Sequence, residues 1–221
     1  MNIRKFIRCF AAFALPLVML MLSPDIANAE NTDEASRFTD VLPGHWYYSA
    51  IEYVVTNGYF NGVSEELFAP EATMTRAMFV TVLGRMAGID PTAYQLPNFM
   101  DVAPGSYYSG YVAWASENNI VQGLEPNLFG SGVSVTREQV AVFLYRYARH
   151  IGMDTSVGQI ATPNSTFDGG SNVSKWAVSA MVWATNKGIM RGTGSIMEPQ
   201  EQITRAQVAQ MLLNFSKLME N

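Results

Sequence analysis

Three arginines occupy the same place in three copies of one pattern. Arg76, Arg137 and Arg205 each directly follow a threonine, Thr75, Thr136 or Thr204. Threonine is favoured at a helix N-cap, so each guanidinium falls in the first turn of a helix, at the positive end of its macrodipole. A cation there costs a few tenths to about 1 kcal/mol, and stability alone would select Asp or Glu. First-turn amides, a positive helix end and a guanidinium fork together make a site for a carboxylate or phosphate. Arg76, Arg137 and Arg205 are therefore the primary expected ligand contacts. The competing reading is that each arginine recurs because it packs against the neighbouring copy, for example by pairing with Asp40, Asp101 or Asp168.

Other recurring residues surround these three. Asp40, Asp101 and Asp168 precede the arginines by 36, 36 and 37 residues. Aspartate supplies an acceptor to free amides, so these carboxylates are expected to brace the start of a first helix, with hydroxyl groups of a ligand as a secondary partner. Gly62, Gly123 and Gly192 fall in a turn between two helices, where left-handed backbone or close approach of a ligand excludes a Cβ; turn geometry takes the larger share. Trp46, Tyr107 and Trp176 open the first helix of each copy, either stacking on the apolar face of a sugar or, as aromatics at helical spacing more often do, packing in the core. Arg191, beside Gly192, is a further anion contact or merely a solvated turn residue, and Asn61 and Gln122 hold its place in the other copies.

These residues need a rigid frame, and the sequence supplies one by repetition. Phe38-Thr39-Asp40-Val41 is echoed by Phe99-Met100-Asp101-Val102 and, more loosely, by Phe167-Asp168. Within each copy, Ala50, Ile51, Val54 and Val55, or Val112 and Ala115, or Ala180, Met181 and Ala184, recur at helical spacing. A second helix follows each Thr-Arg, with Phe79, Val82 and Leu83, then Val140, Phe143 and Leu144, then Val208, Met211 and Leu212 as its apolar stripe. Thr136 with Gln139 and Thr204 with Gln207 read as capping boxes, whereas Met78 leaves copy one with half of the device. One such helix pair cannot bury its stripe alone, so the copies must pack on one another. The expected fold is all-α: three helix-loop-helix repeats, at 37–89, 98–150 and 166–221, forming one unit with approximate three-fold internal symmetry. Linkers are placed at 90–97 and 151–165, after a short tail at 30–36.

Composition narrows the chemistry. Residues 1–29 carry Arg4, Lys5 and Arg8, an apolar run from Phe10 to Leu22, and Ala27-Asn28-Ala29, the pattern of a cleaved secretory signal. Cleavage after Ala29 leaves 11 basic against 18 acidic side chains, a net charge of −7, which disfavours nucleic acid and anionic membranes as non-specific partners. No membrane span is expected in the exported chain. The one cysteine, Cys9, lies within the signal, and His45 and His150 are the two histidines. Disulfides, thiol nucleophiles, a metal site and a cofactor are accordingly not expected.

Phe-x-Asp-Val, an aromatic and Ala-rich first helix, a Gly-bounded turn and Thr-Arg-Ala or Thr-Arg-Glu together resemble the S-layer homology repeat, over residues 37 to 218. The resemblance implies a pseudo-three-fold spindle with a central helical bundle and three projecting prongs. It also implies non-catalytic attachment to cell-wall polysaccharide, commonly a pyruvylated polymer, or to modified peptidoglycan. Met78, Asn119 and the Asp168-Gly169-Gly170 insertion depart from the pattern, so the third copy is expected to bind least.

The leading expectation is thus a secreted wall anchor with arginine-lined grooves between copies, where repetition adds avidity. An adaptor that carries a protein passenger to the wall is the alternative, since three residues follow Leu218. A wall glycosidase ranks last, with Glu65, Glu66 and Glu117 as loose candidates for its carboxylates.

Overall fold

The structure is a computed structural model that describes residues 33–95, 98–157, 172–192 and 197–220. The signal segment, Asp168 and most of the second linker lie outside the described residues. Six α-helices are present among them: α1 Tyr48–Thr56, α2 Arg76–Met86, α3 Ser109–Glu117, α4 Arg137–His150, α5 Val178–Asn186 and α6 Arg205–Met219. Among the described residues strand pairing is limited to isolated bridges, and the fold is all-α.

Each copy contributes a short and a longer helix. The short ones begin two residues later than the sequence pattern predicts, at Tyr48, Ser109 and Val178. Trp46, Tyr107 and Trp176 therefore sit in the turn ahead of the helix. The helices stop where Gly58, Asn119 and Gly188 adopt φ of 69°, 57° and 69°. Asparagine tolerates this left-handed position nearly as glycine does, which explains Asn119 in copy two.

The longer helices start as the Thr-Arg pairs predict. Thr75, Thr136 and Thr204 are extended N-caps whose hydroxyls accept from Met78, Gln139 and Gln207 backbone N–H. Only Thr204–Gln207 makes both halves of the capping box. In copy two the Gln139 side chain turns instead to Arg76, Oε1 accepting from Nη1 at 3.3 Å, because a guanidinium is a stronger donor than a peptide.

The copies close on themselves around a buried centre. Met74 N–H donates to the Ile203 carbonyl, Ile203 N–H to Val135, and Val135 N–H to Met74, at 3.2, 3.2 and 2.9 Å. All three residues are fully buried. A buried peptide group must find a partner, and here each copy supplies the next. Helix packing follows the same order: α2 packs on α3, α4 on α5, and α6 on α1. Aromatics of the long helices meet inside, Phe79 with Phe143 at 5.8 Å and Tyr147 with Phe215 at 5.9 Å between ring centroids. Trp114 and Trp183 pack around them in edge contacts with Tyr147 and Phe215.

Candidate functional site

The three first-turn arginines are buried, with exposures of 2%, 4% and 5%. Each reaches across to the following copy. Arg76 Nε donates to the Phe129 carbonyl at 2.9 Å and Nη2 to the Gln122 carbonyl at 2.6 Å. Arg137 donates likewise to Met197 and Arg191, at 3.1 and 2.7 Å. Arg205 closes the ring by donating to Phe68 and Asn61, at 2.8 and 2.7 Å. Aromatic faces seat two of them: Arg76 lies 4.7 Å from the Phe129 centroid, and Arg205 lies 4.4 Å from that of Phe68. Copy three offers Met197 in the corresponding place. Burial lowers the pKa of all three, for Arg76 and Arg205 to about 10, opposed by the nearby carboxylates of Asp101 and Asp40.

The amides expected to cradle an anion are occupied. Arg76 N–H donates to Val133 and Ala77 N–H to Ser131. Arg137 and Glu138 donate to Glu201 and Pro199, and Arg205 and Ala206 to Ala72 and Pro70. The third amide of each turn goes to the threonine hydroxyl. Carbonyls of the adjoining copy thus satisfy the positive helix end, where a partial negative charge is favoured.

Asp40 and Asp101 brace a different segment from the one predicted. Asp40 accepts from Phe68 and Ala69 N–H at 2.9 and 2.7 Å. Asp101 accepts from Phe129, Gly130 and Ser131 N–H at 2.7, 2.8 and 2.6 Å. These are the loops before α2 and α4, whose carbonyls hold the arginines. The carboxylates therefore act on the arginines through a shared peptide segment, with no direct Arg–Asp ion pair at Arg76 or Arg205. Burial opposes ionisation of Asp101, yet its bonds from Ser131, Phe129 and Gly130 hold its pKa below the usual carboxylate range.

Gly62 and Gly123 are not left-handed. A Cβ at either would strike the turn's own carbonyls and the ring of Phe38 or Phe99, so backbone crowding within the copy requires them. Gly192 is half-buried in the corresponding turn. Trp46, Tyr107 and Trp176 are outside the core, with exposures of 58%, 61% and 58%.

One cleft of about 450 Å³ brings several of these residues together. Arg137 enters it from copy two, Trp46 from copy one, and Arg191 and Gly192 from the turn of copy three. Gln207, Gln210 and Asn214 line the α6 side, and Ile189, Met190 and Met211 supply apolar surface. Among the described residues no acidic side chain lines this cleft, although the chain as a whole is acidic. Its polar donors are two guanidinium groups and three carboxamides, beside an exposed indole. That arrangement suits an acidic sugar: charge-assisted bonds for an anion, amides for hydroxyls, a flat apolar face for the ring.

Sequence reasoning missed Gln207, Gln210 and Asn214. Their spacing of three and then four residues puts them on one α6 face, and that spacing was the available signal. No cluster of metal-ligating side chains occurs among the described residues. The described residues also include no helix long and apolar enough to cross a membrane.

Comparison with known proteins gives three matches to one family model, the S-layer homology domain, at residues 37–78, 98–141 and 167–209. The chain is 27% identical over 184 residues to the S-layer protein sap of Bacillus anthracis, covering 81% of this chain and 21% of that protein. It is 25% identical over 185 residues to the exoglucanase XynX of Acetivibrio thermocellus, covering 83% of this chain and 16% of the enzyme. An endoglucanase from Bacillus sp. (strain KSM-635) is 26% identical over 202 residues, with coverages of 90% and 21%. The chain thus spans about a fifth or less of the length of these relatives.

Proposed function

Because the chain belongs to the S-layer homology domain family, we propose that it is a non-catalytic module that attaches to the bacterial cell wall by binding an acidic wall polysaccharide. An S-layer protein, an exoglucanase and an endoglucanase share this repeat region with the chain. A surface attachment device is common ground between such different proteins, and a shared catalytic centre is not. On this reading the protein acts at the cell surface, and its acidic polymer carries a carboxylate such as a pyruvate ketal.

The observation that carries the proposal is the cleft at Arg137 and Trp46, which pairs two guanidinium groups with three carboxamides and, among the described residues, has no carboxylate in its lining. Three copies on one closed ring let a polymer engage several positions, so weak single contacts sum to firm retention. The test is sedimentation with wall sacculi, either intact or stripped of acidic polymer by hydrofluoric acid. Retention by intact sacculi alone is expected; equal retention by stripped sacculi overturns the proposal.

A further inference from the structure

The turn held by Arg137 has counterparts around the ring, and their side chains follow a rule. Each first-turn arginine is locked to the carbonyl of a turn residue: Arg76 to Gln122, Arg137 to Arg191, Arg205 to Asn61. The side chain of that turn residue is exposed in all three copies. Near that turn stands a half-buried residue of the same copy's long helix: Arg146, bonded to Gln122; Asn214, which lines the cleft with Arg191; and Arg85, bonded to the carbonyl two residues before Asn61. Every copy thus carries one guanidinium and one carboxamide. In the third copy the two have exchanged places.

The pairs are joined by geometry as well as by position. Arg146 Nη2 donates to Gln122 Oε1 at 3.5 Å. Arg85 Nη1 donates to the Tyr59 carbonyl and Asn214 Nδ2 to the Ile189 carbonyl, each at 3.3 Å. Tyr59 and Ile189 hold corresponding places, two residues before Asn61 and Arg191. The helix residue therefore grips the same turn carbonyl in copies one and three, whether it is arginine or asparagine. Solvation alone would not link two positions this way, because each exposed residue would vary independently.

The first-turn arginines have spent Nε and Nη2 on backbone carbonyls. The Arg191 side chain, by contrast, makes no hydrogen bond or ion pair among the described residues and lines the cleft. An acid group arriving from solvent meets Arg191 as a free fork.

We propose that the exchanged arginine–carboxamide pair is the specificity-determining element of each copy. Its guanidinium takes the acid group of the wall polymer, and its carboxamide takes a neighbouring hydroxyl or acetamido group of the same sugar. The first-turn arginine is a positioning residue that fixes the turn carrying the pair. All three copies then present the same two functional groups, with the direction reversed in the third. This inference rests on the acidic-polymer reading above.

The test isolates the third pair in the full chain with Arg85→Gln and Arg146→Gln as background, and measures half-saturation of pelleting with intact sacculi. Adding Arg191→Asn is expected to weaken retention about tenfold or more, the effect of losing a charge-assisted contact. Adding Asn214→Arg to that variant is expected to restore it, because the pair is re-formed in the orientation of the other copies. Thermal midpoints are measured on every variant and should stay level, which a merely structural role for these residues would not give. Unchanged retention in Arg191→Asn overturns the inference while leaving wall binding intact. So does failure of Asn214→Arg to rescue a folded protein. A parent chain that stays in the supernatant with intact sacculi overturns the wall reading and the inference with it.

Discussion

Replacing Arg205 with alanine pits two physical arguments against each other. Arg205 is the first residue of α6, where a cation opposes the helix dipole. Taken alone, that placement makes the substitution stabilising by a few tenths to about 1 kcal/mol, and alanine also has the better helix propensity. The surroundings oppose this. Arg205 is 5% exposed, and its two bonds to Phe68 and Asn61 close the ring between residues 137 and 144 positions apart. Each bond from a charged donor contributes about 1.5 to 3 kcal/mol, and the faces of Phe60 and Phe68 add a cation–π share of roughly 0.5 to 2 kcal/mol. Removing the side chain also leaves two carbonyls without this donor.

With the dipole relief subtracted, the expected loss is about 2.5 to 8 kcal/mol. For a domain of this size that corresponds to a fall in Tm of the order of 10 °C. Urea unfolding followed by circular dichroism at 222 nm measures it directly. Arg205→Lys should fall between, because one ammonium cannot match the fork that spans two carbonyls. An Arg205→Ala protein as stable as the parent, or more so, would refute the claim that ring closure is what this residue does.

Two other substitutions test the remaining assignments. The Tyr48 hydroxyl donates to the Asp33 carboxylate, and this bond, with burial and the nearby charges of Asp33 and Glu52, raises the Tyr48 pKa from 10 to about 12. Its contribution to stability is therefore fully present below pH 10 and lost as pH rises through 12; ultraviolet titration at 295 nm should show the late tyrosine, and Asp33→Asn should return it towards 10. Gly123→Ala forces a Cβ against the Glu125 and Leu128 carbonyls and the Phe99 ring, which should destabilise the fold by about 1 to 3 kcal/mol in urea; unchanged stability would show that close ligand approach, not crowding, selects glycine there.

The fold was legible because the helix signals are local. Thr-Arg starts, apolar stripes and glycine stops are written within a dozen residues, and the repeats multiply each signal by three. The error at Trp46, Tyr107 and Trp176 came from extending an apolar period two residues too far into a turn. The seating of the arginines was not legible, for a physical reason: their partners are backbone carbonyls, which every residue carries and no sequence pattern marks. Asp40 and Asp101 were expected to brace the start of the first helix, but the amides they accept from lie 28 to 30 residues downstream, beyond any local rule. The exchanged pair at Arg191 and Asn214 becomes visible only once the turn and the long helix are known to be neighbours.

Closure of the ring explains why arginine, aspartate and glycine recur, so their recurrence by itself says nothing about a ligand. The aromatic residues differ. Trp46, Tyr107 and Trp176 stand at corresponding places and each leaves more than half of its surface in water. Burying a large apolar side chain gains about 1.5 to 3 kcal/mol, a gain the fold forgoes three times over in a protein whose other two described tryptophans, Trp114 and Trp183, are almost wholly buried. Helix formation does not require them, since all three precede the first helical residue. The hydrogen-bonded closure of the ring runs through Met74, Val135 and Ile203 rather than through them. At Trp46 the open aromatic face shares a cleft with a buried arginine and an exposed polar turn, an arrangement that suits stacking on a flat apolar ring face.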